Sequence, residues 1–548
     1  MVIPAHKYLA LLMAVLLPLL ASCAREPHPV LSSVPDSQLP RRVAILPFSN
    51  HTHSTQAGAA VRKMFYNFFS SLNYIDMEPS ELDAILRRSS MYDDLVEGRP
   101  VDTGRLCQVT GADALIFGDV TTFGKIYAVL YSEVRAGLKA RMLACPSGRL
   151  VWEYEHTSRI GEGGLSISPL GLASTAAKVL LNMRQTVGMR VIADLCMQMT
   201  STIPNPPGIA SAGPGIKVLV HNGANRLMKP GDRLKVVMIG QPGMSASWDV
   251  YPGRKGLTME EREPGVYTGE YLVRKKDRIR SGQIIGYLKS PDGGMSRWLD
   301  VLGTVTMASP TILPSKVEGR LVLDSHSGPY VVQDTLVVAS GDRLVMGPGT
   351  DIWVQGLGIV VRGSLEVKGN SKGPVHIRGQ ADSEWKGMII DSPSGSIDLS
   401  YLAVTGANRG IAAKNAQLSM DHCDITGNTW GIVLDGSRAT LTDSTISRSA
   451  KTGISIRKSR AVITGSAIVE NASGGILVKE SRMDMHGCDV FNNGKWNLKV
   501  MDGNSEVDAR RNWWGRPDVS NSSAGIVGNA DFLPALDNGS RAEETAGR

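Results

Sequence analysis

GIVLDGSRATLTDSTISRSAKT (431–452), GISIRKSRAVITGSAIVENASG (453–474) and GILVKESRMDMHGCDVFNNGKW (475–496) follow one another directly and align without a gap. Each opens on Gly and an apolar residue. Gly387, Gly410, Gly431, Gly453 and Gly475 are 23, 21, 22 and 22 residues apart, and Asn497 follows after 22 more. The next residues are Met388, Ile411, Ile432, Ile454, Ile476 and Leu498. A second apolar column holds Met420, Leu441, Ile463, Met485 and Val507, and a third holds Ile425, Ile446, Ile468 and Val490. Three inward columns per 22-residue period predict a coil of three short strands, a right-handed parallel β-helix. The period excludes the usual leucine-rich and propeller repeats, and the strand content excludes helical solenoids. Turn positions repeat as Asn408, Asn428, Asn471 and Asn493, with Ser449 in the gap. Asn tolerates a left-handed corner and stacks through hydrogen bonds. Cys423, Ser444, Ser466 and Cys488 share a column. At about 4.8 Å per coil the two thiols stand about 14 Å apart, too far to bridge, so both are expected buried and reduced.

Working back from these coils, Tyr330–Val332, Leu336–Val338, Leu344–Met346, Ile352–Val354 and Leu365–Val367 read as less regular early coils, and Asn512-Trp513-Trp514-Gly515 ends the stack. Both ends resemble bacterial pectate-lyase-like β-helix proteins, including the periplasmic copper-site assembly type, over about 200 residues. The resemblance implies fold. It does not imply an activity, because this fold carries lyases, hydrolases, epimerases and inert adhesins.

A lyase on this fold needs clustered carboxylates for calcium and a basic residue, and a glycosidase needs close carboxylates. No Asp-Asp and no Gly-His-Gly occurs in the coils. His422 and Asp443 fall in one column with Asp421 beside them, the best acid/base candidates, against the plainer reading of a surface ion pair on a turn. No CxxC or HExxH spacing occurs, so no metal and no cofactor is expected. A basic ladder is more persuasive. Arg438, Arg460 and Arg482 recur every 22 residues, each after a Ser, with Arg457 and Lys479 as a parallel pair and Lys458 beside them. Stacked cations repel unless acids such as Asp435 and Glu480 intervene or an anionic polymer lies across them. The ladder therefore reads either as a groove for an acidic glycan or as a solvated face that blocks edge contacts.

The middle stretch, 215–307, has short alternating strands, such as Leu234, Val236 and Met238, broken by Gly240-Gln241-Pro242-Gly243. With Met228-Lys229-Pro230-Gly231-Asp232 and PGVYTGEY (264–271) it resembles bacterial immunoglobulin-like β-sandwiches. Residues 201–214 are rich in Pro, Gly and Ser and read as a linker.

Residues 41–200 alternate strands and helices, an α/β order. Arg42–Phe48 is a buried strand ended by Pro47. Ala57 to Leu72 carry one apolar helical stripe, and Ala112–Val120 is a further strand. Tyr131–Ala144 and Arg149–His156 form a hairpin, and a helix from about Pro169 to Met199 closes the unit. VAILPF, GADALIFGDV and LVWE resemble the periplasmic domain shared by the N-terminal domain of the Tol-system B protein, the curli-secretion lipoprotein and the activator lipoproteins of penicillin-binding proteins. The family's Asp-x-x-Thr-Gly turn is replaced by Ala144-Cys145-Pro146-Ser147-Gly148. That resemblance implies a binding or assembly part. Gly163–Leu181 reads as a terminal helix packed on its own sheet, or as a contact surface for a membrane or sister subunit.

Leu9–Leu20 is apolar and Leu20-Ala21-Ser22-Cys23 resembles the bacterial lipobox, so residues 1–22 read as a lipoprotein signal peptide and Cys23 as the lipidated residue. Ala24 points to the outer membrane, periplasm-facing, and 23–40 to a tether. The β-helix is assigned to 308–516 and a tail to 517–548. Five cysteines remain beyond Cys23, and one pair among Cys107, Cys145 and Cys196 is a candidate disulfide. At 548 residues with 59 Gly and 8 Phe, the chain is multidomain and β-rich, and a charge of +7 favours anionic partners only weakly. A periplasmic address excludes nucleic acid. The sequence thus predicts a non-enzymatic outer-membrane lipoprotein, a binding or assembly factor whose β-helix meets a glycan or protein partner, with oligomers open. The rivals are a carbohydrate-active enzyme, lyase or hydrolase, and a secretion or pore component.

Overall fold

The computed structural model describes residues 28–31, 35, 38–52, 54, 57–128, 131–161, 187–207, 213–380, 385–516, 519–520, 522–537 and 539, without the side chains of 125–128, 131–133, 161 and 187. The signal peptide, Cys23, most of the tether and the Gly163–Leu181 segment lie outside the described residues.

The first body is built on one mixed sheet. Its strand order is Val30–Leu31, Leu150–Gly161, Tyr131–Ala144, Ala114–Ala128, Arg42–Ile45, Ile75–Asp76. Arg42–Ile45 alternates its two faces. Val43 and Ile45 pack with Phe65 and Phe69 of helix Ala57–Phe69 and with Leu195 of helix Val187–Thr200. Ala44 and Leu46 pack the other way against Leu82, Leu86 and Leu106. A strand buried on both faces needs such an unbroken apolar run. The strand expected to end at Val120 continues to Ala128 and pairs along its whole length with Tyr131–Ala144. Cys107 and Cys145 form the disulfide, tying helix Thr103–Thr110 to the end of a strand, and Cys196 is buried and free. The Pro-rich stretch after this body is pinned along 202–207. Trp152 Nε1 donates to Thr202 Oγ1 at 2.9 Å, and Asn73 N–H donates to Asn205 Oδ1 at 2.7 Å.

The middle stretch forms two sheets, mainly antiparallel, of four and six strands around Trp248, Met238, Tyr267 and Leu288. This core is continuous with one side of the first body.

From Thr311 onward the chain winds as a parallel β-helix with three sheets of nine, ten and nine strands. The second-sheet column Met388, Ile411, Ile432, Ile454, Ile476, Leu498 is in register throughout. The Ile425 column is in register too, and the Met420 column is in register as far as Met485; the next coil is 24 residues long, so Val507 pairs with Met483 instead of Met485. The early coils join the same stack without a break. The stack also runs past residue 516. Ile526–Val527 pairs with Leu498–Val500, Asp531 bridges Asp508, and Ala524 and Ile526 are buried, so 522–537 covers the open end of the core.

The turn column differs from expectation in one member. Asn428 Oδ1 accepts from Ala407 N–H at 2.9 Å, which places Ala407 in the ladder and leaves Asn408 beside it. Nor do these Asn residues hold the left-handed corner. The residues before them do: Gly427 (φ 64), Arg448 (φ 52), Glu470 (φ 57) and Asn492 (φ 53). The Asn residues instead supply hydrogen bonds from coil to coil.

Candidate functional site

In the later coils the corners share a pattern: a residue at positive φ, then in most coils a small polar residue whose side chain serves the backbone of its own and the preceding coil. At the second corner the left-handed residues are Asn415, Gly436, Lys458 and Glu480. The following side chains stack. Ser437 Oγ accepts from Ala416 N–H at 3.1 Å, Ser459 Oγ from Ser437 N–H at 2.9 Å, and Ser481 Oγ from Ser459 N–H at 3.0 Å. Each Oγ donates to the carbonyl two residues back. This buried ladder fixes the residue after each Ser, so Arg438, Arg460 and Arg482 open successive third-sheet strands in register and exposed. Their backbones are one strand spacing apart, about 4.8 Å.

Acids answer most of this charge. Asp435 binds Arg457, and Glu480 lies 3.8 Å from Lys458 and 3.7 Å from Lys479. The sequence reading missed Asp484 and Glu506. Asp484 stands 3.7 Å from Arg460 and 3.4 Å from Arg482, and Glu506 is 3.2 Å from Arg482. The spacing gives a signal for Glu506, which is in register with Arg482 across a 24-residue coil. Arg438 alone has no ion-pair partner among the described residues. It borders an open groove of about 770 Å³ lined by Asp398, Gln417, Ser419, Thr440 and Arg460. Arg457 and Lys479 stack in register on the neighbouring sheet edge, away from that groove.

Asp421 ends the strand Gln417–Asp421 that supplies the groove's Gln417 and Ser419. His422 and Asp443 come next to it at the third corner, at φ 50 and 46, where the later coils place Gly465 and Gly487. Asp421 Oδ1 is 3.0 Å from His422 Nδ1, and Tyr401 stacks on the imidazole with centroids 4.5 Å apart. One donor atom from each of Asp421, His422 and Asp443 lies within 4.8 Å of the others, so the three can share a proton or a divalent cation. All three are at the surface. Behind them Cys423 and Cys488 are buried and free, their thiols pushed up by burial to about 11 and about 12, so neither is a nucleophile.

Fold and site together define a multidomain protein whose β-helix displays a polar, basic groove beside a small His/Asp cluster. Residues 409–516 match the family described as right-handed β-helix region, and residues 32–200 match the GNA1162-like lipoprotein family. Among solved structures, the lipoprotein GNA1162 from Neisseria meningitidis is 21% identical over 26% of this chain and 96% of its own, with TM-score 0.22. A PelC dodecamer from Paraburkholderia phytofirmans is 16% identical over 33% and 98%, with TM-score 0.18. The hypothetical protein CT253 from Chlamydia trachomatis is 9% identical over 30% and 97%, with TM-score 0.20. Among curated proteins none matches significantly. No helix among the described residues is long and apolar enough to cross a membrane.

Proposed function

We propose that this chain is a non-enzymatic lipoprotein, acylated on Cys23 and held at the periplasmic face of the outer membrane. It acts there as a binding or assembly factor whose β-helix carries an acidic glycan. The lipoprotein-family match at 32–200 and the lipobox support the anchor. One observation carries the glycan: Arg438 is an exposed guanidinium without a carboxylate partner, in register with Arg460 over a groove lined by amide and hydroxyl groups and a single carboxylate, Asp398. Guanidinium groups grip carboxylate and phosphate in two-point contacts, and the hydroxyls suit a sugar. Titration of the full-length lipoprotein in detergent with oligogalacturonate tests this. Arg438→Ala with Arg460→Ala is expected to weaken binding at least about tenfold, and salt to weaken it further. Undiminished binding by the double variant would refute the groove.

The His422 cluster favours a second reading, a hydrolase or lyase working at the groove's rim. Turnover of the same oligosaccharide, abolished by His422→Ala or Asp443→Ala, would establish it.

A further inference from the structure

The outer face of the first β-helix sheet is covered along its middle coils. Helix Ala57–Phe69 and the loop 300–304 stand over it and enclose a cleft of about 630 Å³ shared by all three parts of the chain. The β-helix contributes His376 and Arg378, then Ala403 and Thr405, then Asp424 and Thr426, in register, with Arg448 at the corner. The opposite wall holds Lys63, Asp300, Val301 and Leu302.

Two of these charges are answered within the protein. Arg378 lies 3.0 Å from Asp351, and Asp300 lies 3.1 Å from His221 and accepts from the N–H groups of Leu302 and Gly303. Three others, Lys63, Asp424 and Arg448, make no ion pair among the described residues, although all three are partly buried. Arg448 reaches only the Thr426 hydroxyl, at 3.3 Å. Burial pushes Lys63 down and Asp424 up, and the opposing pulls of Asp300 on the first and Arg448 on the second are smaller, so both groups have lost water without a close counter-charge. Arg448 also holds a left-handed backbone that the two preceding coils give to Gly406 and Gly427. A bulky residue pays for that conformation, which fits a side chain kept for use.

Charges of both signs that no close ion pair satisfies, Lys63 and Arg448 beside Asp424, line the cleft, so it suits neither a simple anion nor a simple cation. No Phe, Tyr or Trp is among its lining residues, which removes the broad stacking surface a saccharide prefers, and the one ring at its border is the His376 imidazole. Ala59, Ala60, Val301, Leu302 and Ala403 give it aliphatic surface, beside the polar Asn225, Thr304, Thr405 and Thr426. The volume is in the range of small-molecule sites. We propose that this cleft binds a small zwitterion of the amino-acid class, a free amino acid or dipeptide. Its carboxylate meets Lys63 and Arg448, its ammonium meets Asp424, and its aliphatic side chain lies on the apolar surface. The site is independent of the arginine groove, which lies on another sheet.

Isothermal titration of the full-length lipoprotein in detergent with L- and D-alanine, L- and D-leucine and alanyl-alanine tests it. N-acetylalanine, which lacks the ammonium, and alaninamide, which lacks the carboxylate, are the blocked comparators. At least one zwitterion is expected to bind more tightly than about 1 mM, with each blocked form at least about tenfold weaker. Arg448→Ala and Ala403→Trp, the latter filling the cleft floor from a solvent-facing position, are each expected to abolish binding while the circular dichroism spectrum stays unchanged. Absence of binding by every zwitterion, equal binding of a blocked form, or binding that survives Ala403→Trp in a folded protein would overturn the proposal.

Discussion

Asn471 shows how much one side chain carries in this stack. Its Oδ1 accepts from Ser449 N–H at 3.0 Å and its Nδ2 donates to Ile446 O at 3.1 Å, all of it buried. Asn471→Ala leaves a donor and an acceptor unpaired in the core. It is expected to lower β-helix stability by about 2–3 kcal/mol, read as a fall in the urea midpoint with an unchanged slope. The left-handed residues behave in the opposite way. Asp443 occupies a conformation that Gly465 and Gly487 adopt in the same column. Asp443→Gly is therefore expected to stabilise the β-helix by about 0.5–1 kcal/mol, the relief of the left-handed penalty exceeding the added chain entropy. A loss of stability in that variant would show that the carboxylate supports the corner structurally. These corners were only half legible. Period 22 exposed the Gly column, but Gly453 is required by close approach: a Cβ there would meet Asn471 Nδ2 at 2.6 Å and Gly475 O at 2.9 Å. Counting columns places Asn408 in the ladder because it sits one residue from Ala407, a shift that counting cannot resolve where successive coils are 23 and 21 residues long.

At the scale of elements, strands with an alternating or repeating apolar pattern were readable, and pairing partners outside the repeat were not. The extension of Ala114–Ala128 beyond Val120 depends on its antiparallel partner, and the burial of Ile526 depends on the uncovered end of the last coil. In the middle stretch, Asp277 fastens the end of strand Val266–Leu272 to the start of Ile279–Lys289. Burial pushes its carboxyl up, but the Arg274 N–H, the Arg254 guanidinium and the Tyr271 hydroxyl outweigh that and hold it below the usual carboxylate range. A carboxyl lowered in the native state adds stability that is complete above its unfolded value, near 4, and is lost as pH falls through the lowered native value. The melting temperature of the middle stretch is thus expected to drop as pH falls below about 4. Asp277→Asn should flatten that drop while lowering the temperature at pH 7, as differential scanning calorimetry would record.

At the scale of the molecule, no sequence pattern announced that three bodies would enclose a cleft, since Lys63, Asp300 and Arg448 share no motif and meet only through docking. The docking is strongest between the first two. Asn67 Nδ2 donates to Leu299 O at 2.9 Å and its Oδ1 accepts from Leu299 N–H at 2.7 Å, so a helix side chain completes the backbone bonding of a strand. Ser70 Oγ donates to Arg297 O at 2.8 Å, and Phe68 meets Trp298 edge-on at 5.5 Å. Contact with the β-helix is lighter, a small cluster of Leu227, Ala308, Val331 and Trp353 with the Arg280 side chain on Gly328 O at 3.0 Å. Elements that share a core unfold together, and those joined by a small contact do not. Calorimetry of the intact chain is expected to show one transition for the first and middle parts and a second, hotter one for the β-helix, whose core is longer and uninterrupted. Asn67→Ala leaves both polar backbone groups of Leu299 unpaired in a buried interface, a cost of about 2–3 kcal/mol. It should split the lower transition in two while leaving the upper one in place. If the first two parts already melt separately in the unaltered chain, their common core is not cooperative, and a cleft that needs both walls held still loses its rigid frame.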